Sequence, residues 1–230
     1  MENENKFIKF LKWFFHSFIW IGILLFIVDI VSKNIIVSVF ADKGGEAFDP
    51  KDGIEVIPHF LWFNYAINRN AAFGFGPKDP NVARILYICF ASIATIGLSI
   101  WFAKGHKKMP GYVRAAIGLI IAGALGNMVD RIFYTPEYLN ANPGTAGGVV
   151  DFIDFFYDSP LHNIWGYIFN IADCCVVIGT FMLIIWMLID WIKDIKKDRE
   201  EKAKEPKDTE KVLSASERKK IQEQEENKVE

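Results

Sequence analysis

Four long stretches almost free of charge constrain this chain more than any other feature. They run from about residue 13 to 40, 82 to 103, 112 to 130 and 164 to 192. Each is close to the ~20 apolar residues that cross a bilayer as a helix. In hydrocarbon every backbone polar group must find its partner within the protein, so helices or closed barrels are the spanning forms. Continuous apolar runs of this length point to helices. The expected fold is an all-α integral membrane bundle of four transmembrane helices. Composition averages hide this, because residues 193–230 alone carry 12 basic and 12 acidic side chains. The chain divides into a membrane domain, 1–192, and a charged tail, 193–230, expected to be disordered or a frayed, solvated helix. A formal net charge of −2 excludes a polybasic nucleic-acid binder.

The basic residues orient the bundle. Lys6, Lys9 and Lys12 precede the first run, Lys104, Lys107, Lys108 and Arg114 lie between the second and third, and Lys193, Lys196, Lys197 and Arg199 follow the fourth. With four spans these places share one side, so the positive-inside rule puts both termini in the cytoplasm of a multi-pass cell-membrane protein. The segments 41–80 and 131–163 then face outward. The first run has a basic start like a signal peptide, but Asp29 and Lys33 interrupt it, and it reads as an uncleaved anchor. In the first outer segment, Ile54–Pro58 and Phe60–Tyr65 are β-branched and aromatic, which predicts a small extracytoplasmic β-sheet. Cys89, Cys174 and Cys175 lie in apolar runs without metal-ligand spacing, and the four histidines are scattered. Neither a metal nor a cofactor is expected.

Ionisable groups inside spans are costly and ask for a functional reason. There are 17 positions from Lys12 to Asp29, 16 from Arg114 to Asp130 and 17 from Asp173 to Asp190. At ~1.5 Å per residue, the three carboxylates fall in one layer about 25 Å above the cytoplasmic anchors. Asn127 precedes Asp130 by three residues and Asn170 precedes Asp173 by three, so each amide is expected on its acid's helix face. Two carboxylates brought close share a proton: one acts as base on water while the other polarises a peptide carbonyl. On this reading Asp130 and Asp173 are the catalytic pair. The bland alternative is that Asp130 pairs with Lys33 or Arg131 and only holds helices together. Asp29 and Lys33, spaced i, i+4, read as a structural ion pair. Asp151, in the second outer segment, reads either as a group that caps or orients the site or as a plain loop charge.

These residues resemble the lipoprotein signal peptidase (signal peptidase II) family. The likeness rests on Gly123–Arg131, Val149–Ile153 and Phe169–Asp173, with Asn68–Gly74 and Asp29–Lys33 as looser matches, across roughly residues 20–190. It implies an intramembrane aspartic endopeptidase that cuts diacylglyceryl-modified prolipoproteins just before the lipidated lipobox Cys. It implies Asp130 and Asp173 as the catalytic dyad, and Asn68, Asn127, Arg131 and Asn170 as polar positions around substrate and dyad. Lipidated prolipoproteins and membrane lipid are the implied partners, with a monomeric enzyme expected. The chain departs from the pattern at Asn70, where the family has Gly, at Ile30, where it has Gln, and in a long 134–148 stretch. Two rivals remain: a proton-coupled transporter, which would need polar groups through the whole membrane depth, and a scaffold, which would not need two Asn-x-x-Asp elements.

Overall fold

Charge-free segments whose backbone bonds close locally become the helices of this protein, and the aromatic outer segments become its sheet. The computed structural model describes residues 5–45, 48–69, 77–136, 138–139, 147–164, 166–204 and 217–221. In chain order the elements are α1 (Lys6–Ser17), α2 (Ile19–Ala41), β1 (Ile54–Ile57), β2 (Leu61–Asn68), α3 (Pro80–Gly105), α4 (Gly111–Phe133), β3 (Val149–Phe155), β4 (Ile168–Phe169) and α5 (Ile171–Lys204). The chain divides into two units, Met1–Ile184 and Ile185–Glu230, and the site described below lies wholly in the first. Among the described residues, four helices are long and apolar enough to cross a membrane: α2, α3, α4 and α5 from Ile171 to Lys202.

Three boundaries differ from the sequence expectation. The first apolar run is not one helix. Phe18 adopts a left-handed conformation, φ 61°, and separates α1 from α2. Ser17 supports the break: its hydroxyl donates to the Phe14 carbonyl at 2.6 Å and accepts the Ile19 N–H at 3.3 Å. The ruler from Lys12 to Asp29 therefore spans two helices. The fourth helix starts at Ile171 rather than 164, because a short 3₁₀ turn (Pro160–Asn163) and strand β4 occupy the preceding residues. That helix also runs past the expected end at 192, since α5 continues to Lys204, and a helical start is one of the two forms expected for the tail.

Helix α4 carries the most buried face, from Val113 through Ala116, Ala122 and Gly126 to Asp130. Close approach is built in: a Cβ on Gly22 of α2 would lie 2.6 Å from the Gly118 carbonyl oxygen of α4. Helix α3 buries only Ala83 and presents Ile85, Phe90, Ile93, Ile96 and Ile100 outward, as a lipid-facing helix does.

The sheet is antiparallel in the order β1-β2-β3-β4. Strand β3 pairs with β2 through Phe63↔Ile153, Ala66↔Asp151 and Asn68↔Val149, with an irregularity between Phe63 and Ala66. Within that irregularity both Asn64 and Tyr65 are buried. Asn64 donates to Asp154 Oδ2 at 2.7 Å, and the Tyr65 hydroxyl donates to the Leu139 carbonyl at 2.8 Å. A core of Ile36, Val37, Phe40, Tyr65, Val150 and Phe152 packs the sheet onto the end of α2. This seating brings β3 down onto the ends of α4 and α5.

Candidate active site

Asp29 and Lys33 lie one turn apart on α2, and Lys33 is fully buried. Its Nζ sits 2.9 Å from Asp29 Oδ2, 2.9 Å from Asp130 Oδ2 on α4 and 3.0 Å from Asn127 Oδ1. Asp29 also accepts the Ala172 N–H at 2.8 Å, in the first turn of α5. A carboxylate there satisfies an otherwise orphaned donor and complements the helix dipole. Gly126 makes this convergence possible: a Cβ there would lie 2.5 Å from Asp29 Oδ2. Asp130 accepts the Val150 N–H of β3 at 3.2 Å, so one ammonium and one strand amide hold it. Of the two readings left open for Asp130, the ion pair with Lys33 is the geometry present.

A second cluster surrounds Asn170. Its Oδ1 accepts the Asp173 N–H at 2.9 Å, while Asp173 Oδ2 accepts the Asn170 N–H at 3.2 Å. This reciprocal pair is a capping box at the start of α5. Asn170 therefore does not share a helix face with Asp173, as the spacing suggested; it stands just outside the helix. Asn127 and Asp130, by contrast, do lie within α4. The two Asn-x-x-Asp elements look alike in sequence and play different structural parts.

The Asn170 side chain is fully buried, and its Nδ2 donates to Asp151 Oδ1 at 2.6 Å. Asp151 belongs to strand β3 rather than to a loop, and it is 3% exposed. Its other oxygen accepts Asn68 Nδ2 from β2 at 2.9 Å. Burial first, and then the Asp173 carboxylate, push the Asp151 carboxyl up to about 7, against the opposing pull of Asn68, Lys33 and Asn170. Asn127 links the two clusters: its Oδ1 accepts from Lys33 and from Asn170 Nδ2 at 3.1 Å, and its Nδ2 donates to Asp173 Oδ1 at 2.7 Å.

All the residues singled out in the sequence thus converge, but not in the expected pairing. Asp130 is committed to Lys33 and Val150. The carboxylate that meets Asp173 across a shared residue is Asp151, through Asn170. Arg131 donates to the Asn127 carbonyl at 3.1 Å, and its guanidinium lies 5.1 Å from the Tyr87 ring centre. Asp151, Asp173 and Asp130 are all within its electrostatic reach. Sequence reasoning missed Tyr87 and Arg84 of α3; Arg84 donates to the Arg131 and Ile132 carbonyls at the end of α4. The arginine near the start of an apolar run was the available signal. Asn70 and the segment through Gly74 lie outside the described residues, as do 140–146 of the long 134–148 stretch.

Asn68, Asn127, Arg131 and Asp173 are half-buried, whereas Asp29, Lys33 and Asp130 are sealed. The site therefore has a dry ionic floor beneath an amide-lined upper layer with two carboxyl groups. Such a layer can hold one proton between two acids and hydrogen-bond a peptide.

Residues 21–189 match the family model described as signal peptidase (SPase) II. A lipoprotein signal peptidase of Haemophilus influenzae is 32% identical over 187 residues, covering 81% of this chain and 91% of that protein. One from Staphylococcus aureus is 37% identical over 194 residues, covering 83% and 98%. Two solved bacterial membrane enzyme structures are similar, each with a TM-score of 0.54, at 32% and 31% identity. The first covers 76% of this chain and 88% of its own, the second 75% and 92%.

Proposed function

Because the chain belongs to the signal peptidase II family, we propose that it removes signal peptides from diacylglyceryl-modified prolipoproteins with Asp151 and Asp173 as an aspartic acid–base pair. The observation that carries this pairing is Asn170, which donates its side chain to Asp151 and its backbone N–H to Asp173. The raised carboxyl of Asp151 keeps a proton near neutral pH. Asp173 then acts as the base: it takes a proton from water, and the water oxygen attacks the scissile carbonyl carbon. Asp151 donates its hydrogen bond, and then its proton, to the carbonyl oxygen. As the C–N bond breaks, the proton taken by Asp173 passes to the leaving nitrogen, and one hydroxyl of the collapsing diol returns its proton to Asp151 as the new carboxyl forms. Asn68, Asn127 and Arg131 border this pair and offer donors and acceptors to the substrate backbone.

Asp130 moves in this reading from the catalytic pair to the structural group with Asp29 and Lys33. Its sealed ion pair supports that role. The basic N-terminal end and the α3–α4 connection support cytoplasmic termini and a site near the extracytoplasmic face. The substrate is a lipidated peptide whose acyl chains stay in the bilayer; each buried CH₂ is worth ~0.8 kcal/mol. The enzyme is proposed to act as a monomer.

The test is cleavage of a diacylglyceryl-modified lipobox peptide in detergent by purified protein. The expected product has a lipid-Cys N-terminus, and an unlipidated peptide of the same sequence is cut poorly. Asp151→Asn should be folded and inactive. An Asp151→Asn protein with near-wild-type turnover, beside a folded and dead Asp130→Asn, would restore the pairing of Asp130 with Asp173 and overturn this assignment.

A further inference from the structure

We propose that α1 is an interfacial helix, lying along the membrane surface at the end of the bundle away from the site, and that it binds anionic phospholipid headgroups.

The break at Phe18 makes this helix separate from the first span. Ser17 and Phe18 end α1, and the Phe18 ring is wedged against the start of α4: a Cβ on Gly111 would lie 2.7 Å from it. The Arg114 guanidinium lies 5.7 Å from the centre of the same ring. The elbow is therefore packed rather than frayed.

The sequence of α1 is two-sided at helical spacing. Lys9, Lys12 and His16 form one stripe. Phe7, Phe10, Leu11, Phe14 and Phe15 form the opposite face. Much of that face is uncovered: Phe7 is 62% exposed, Phe10 53% and Phe15 58%, while Leu11 and Phe14 are half-buried. Aromatic surface of this extent is costly in water and stable in the headgroup–acyl boundary.

The neighbouring surface says which lipid. The Trp13 ring meets His106 edge-on, 6.4 Å between centres, which fixes α1 beside the α3–α4 connection. That connection carries Lys104, Lys107 and Lys108, all exposed, and Lys6 and Lys9 of α1 are exposed too. Lysines from two segments thus flank one aromatic face. Ammonium groups at the rim of a membrane-inserted surface are complementary to phosphodiester headgroups with net negative charge. This inference does not depend on which pair of aspartates does the chemistry.

Spin labels on the full-length protein in nanodiscs test it, in a Cys89→Ser background. At Phe10→Cys the label should collide mainly with oxygen, and at Lys9→Cys mainly with a water-soluble nickel chelate. Thermal unfolding supplies the second readout. Nanodiscs of phosphatidylcholine containing phosphatidylglycerol should raise Tm above phosphatidylcholine alone. Lys9→Glu with Lys107→Glu should remove at least half of that rise while leaving turnover in phosphatidylcholine unchanged. Equal nickel access at both labels would place α1 in water and overturn the proposal. Equal oxygen access at both would make α1 part of the span and also overturn it. A Tm independent of phosphatidylglycerol would overturn the headgroup specificity.

Discussion

Asp29 and Asp130 share an ammonium, whereas Asp151 and Asp173 share a residue, Asn170, one through its side chain and the other through its backbone N–H. The first pair is sealed among α2, α4 and the first turn of α5, with Lys33 at 2.9 Å from each. The second pair joins a strand to a helix terminus across Asn170. The difference is one of charge matching. Lys33 compensates carboxylates buried away from solvent, and such a group works as a brace. Amides satisfy lone pairs without supplying positive charge, so a carboxyl among them can retain a proton. Under the proposed mechanism, identical side chains in adjoining layers take bracing and proton-transfer roles according to what faces them.

Substitution at the upper pair should have the largest effect. Asp151→Asn and Asp173→Asn should each lower turnover by roughly 10⁴-fold, with the double variant hardly worse, because a shared proton is lost in either case. Single-turnover cleavage of the lipidated peptide measures this, with Tm in detergent as the control for folding.

The floor should respond in stability instead. Lys33→Met leaves buried carboxylates unmatched and should cost about 3–5 kcal/mol. Thermal unfolding reads the loss. Combining it with Asp29→Asn and Asp130→Asn should recover at least half, since neutral groups no longer need the ammonium. A combined variant no more stable than Lys33→Met would mean that the floor is not held by charge pairing.

A smaller change sharpens the contrast through pH. Asn68 donates to Asp151 and holds its carboxyl down, so Asn68→Ala should raise it further. The alkaline limb of kcat/KM, which the proposed mechanism assigns to Asp151, should move to higher pH, with a loss of ~10-fold at the optimum. Stability carries the same sign. The Asp151 carboxyl lies above its ordinary 3.8 in the folded protein, so the fold holds the extra proton between about 4 and 7. Stability should fall as pH rises through that window, and Asp151→Asn should flatten the slope. An unmoved alkaline limb in Asn68→Ala would detach that limb from Asp151.

The smallest effect is expected from the tail. Residues 205–230 are rich in balanced charge and poor in apolar groups, and a stop after Lys204 ends the chain where α5 ends. Turnover should stay within about twofold of wild type, the scale on which charge-balanced, solvated segments act. A large loss in the well-inserted truncation would give the tail a part in the reaction.

Some of this was legible residue by residue. The i, i+4 spacing of Asp29 and Lys33 named the ion pair correctly. The same spacing logic failed at Asn170, because an Asn three residues before an Asp is compatible with one helix face or with a capping box. The choice depends on where α5 begins, and an apolar run continuing back to Ile164 concealed that start. Phe18 concealed the break between α1 and α2 in the same way, because no Gly or Pro marks it.

By itself the sequence determined the four spanning helices, since an apolar segment in lipid must close its hydrogen bonds within a few residues. It also determined which polar side chains would meet, because few were available at that depth. Only the tertiary structure decided who faces whom. Asp151 reaches Asn170 because β3 pairs with β2 in one register and sits on a shared aromatic core. Asp130 reaches Lys33 because Gly126 lets α2, α4 and α5 close on one another. Register and helix approach are set by contacts distant in sequence, and the pairing of these four aspartates follows from those contacts rather than from their spacing.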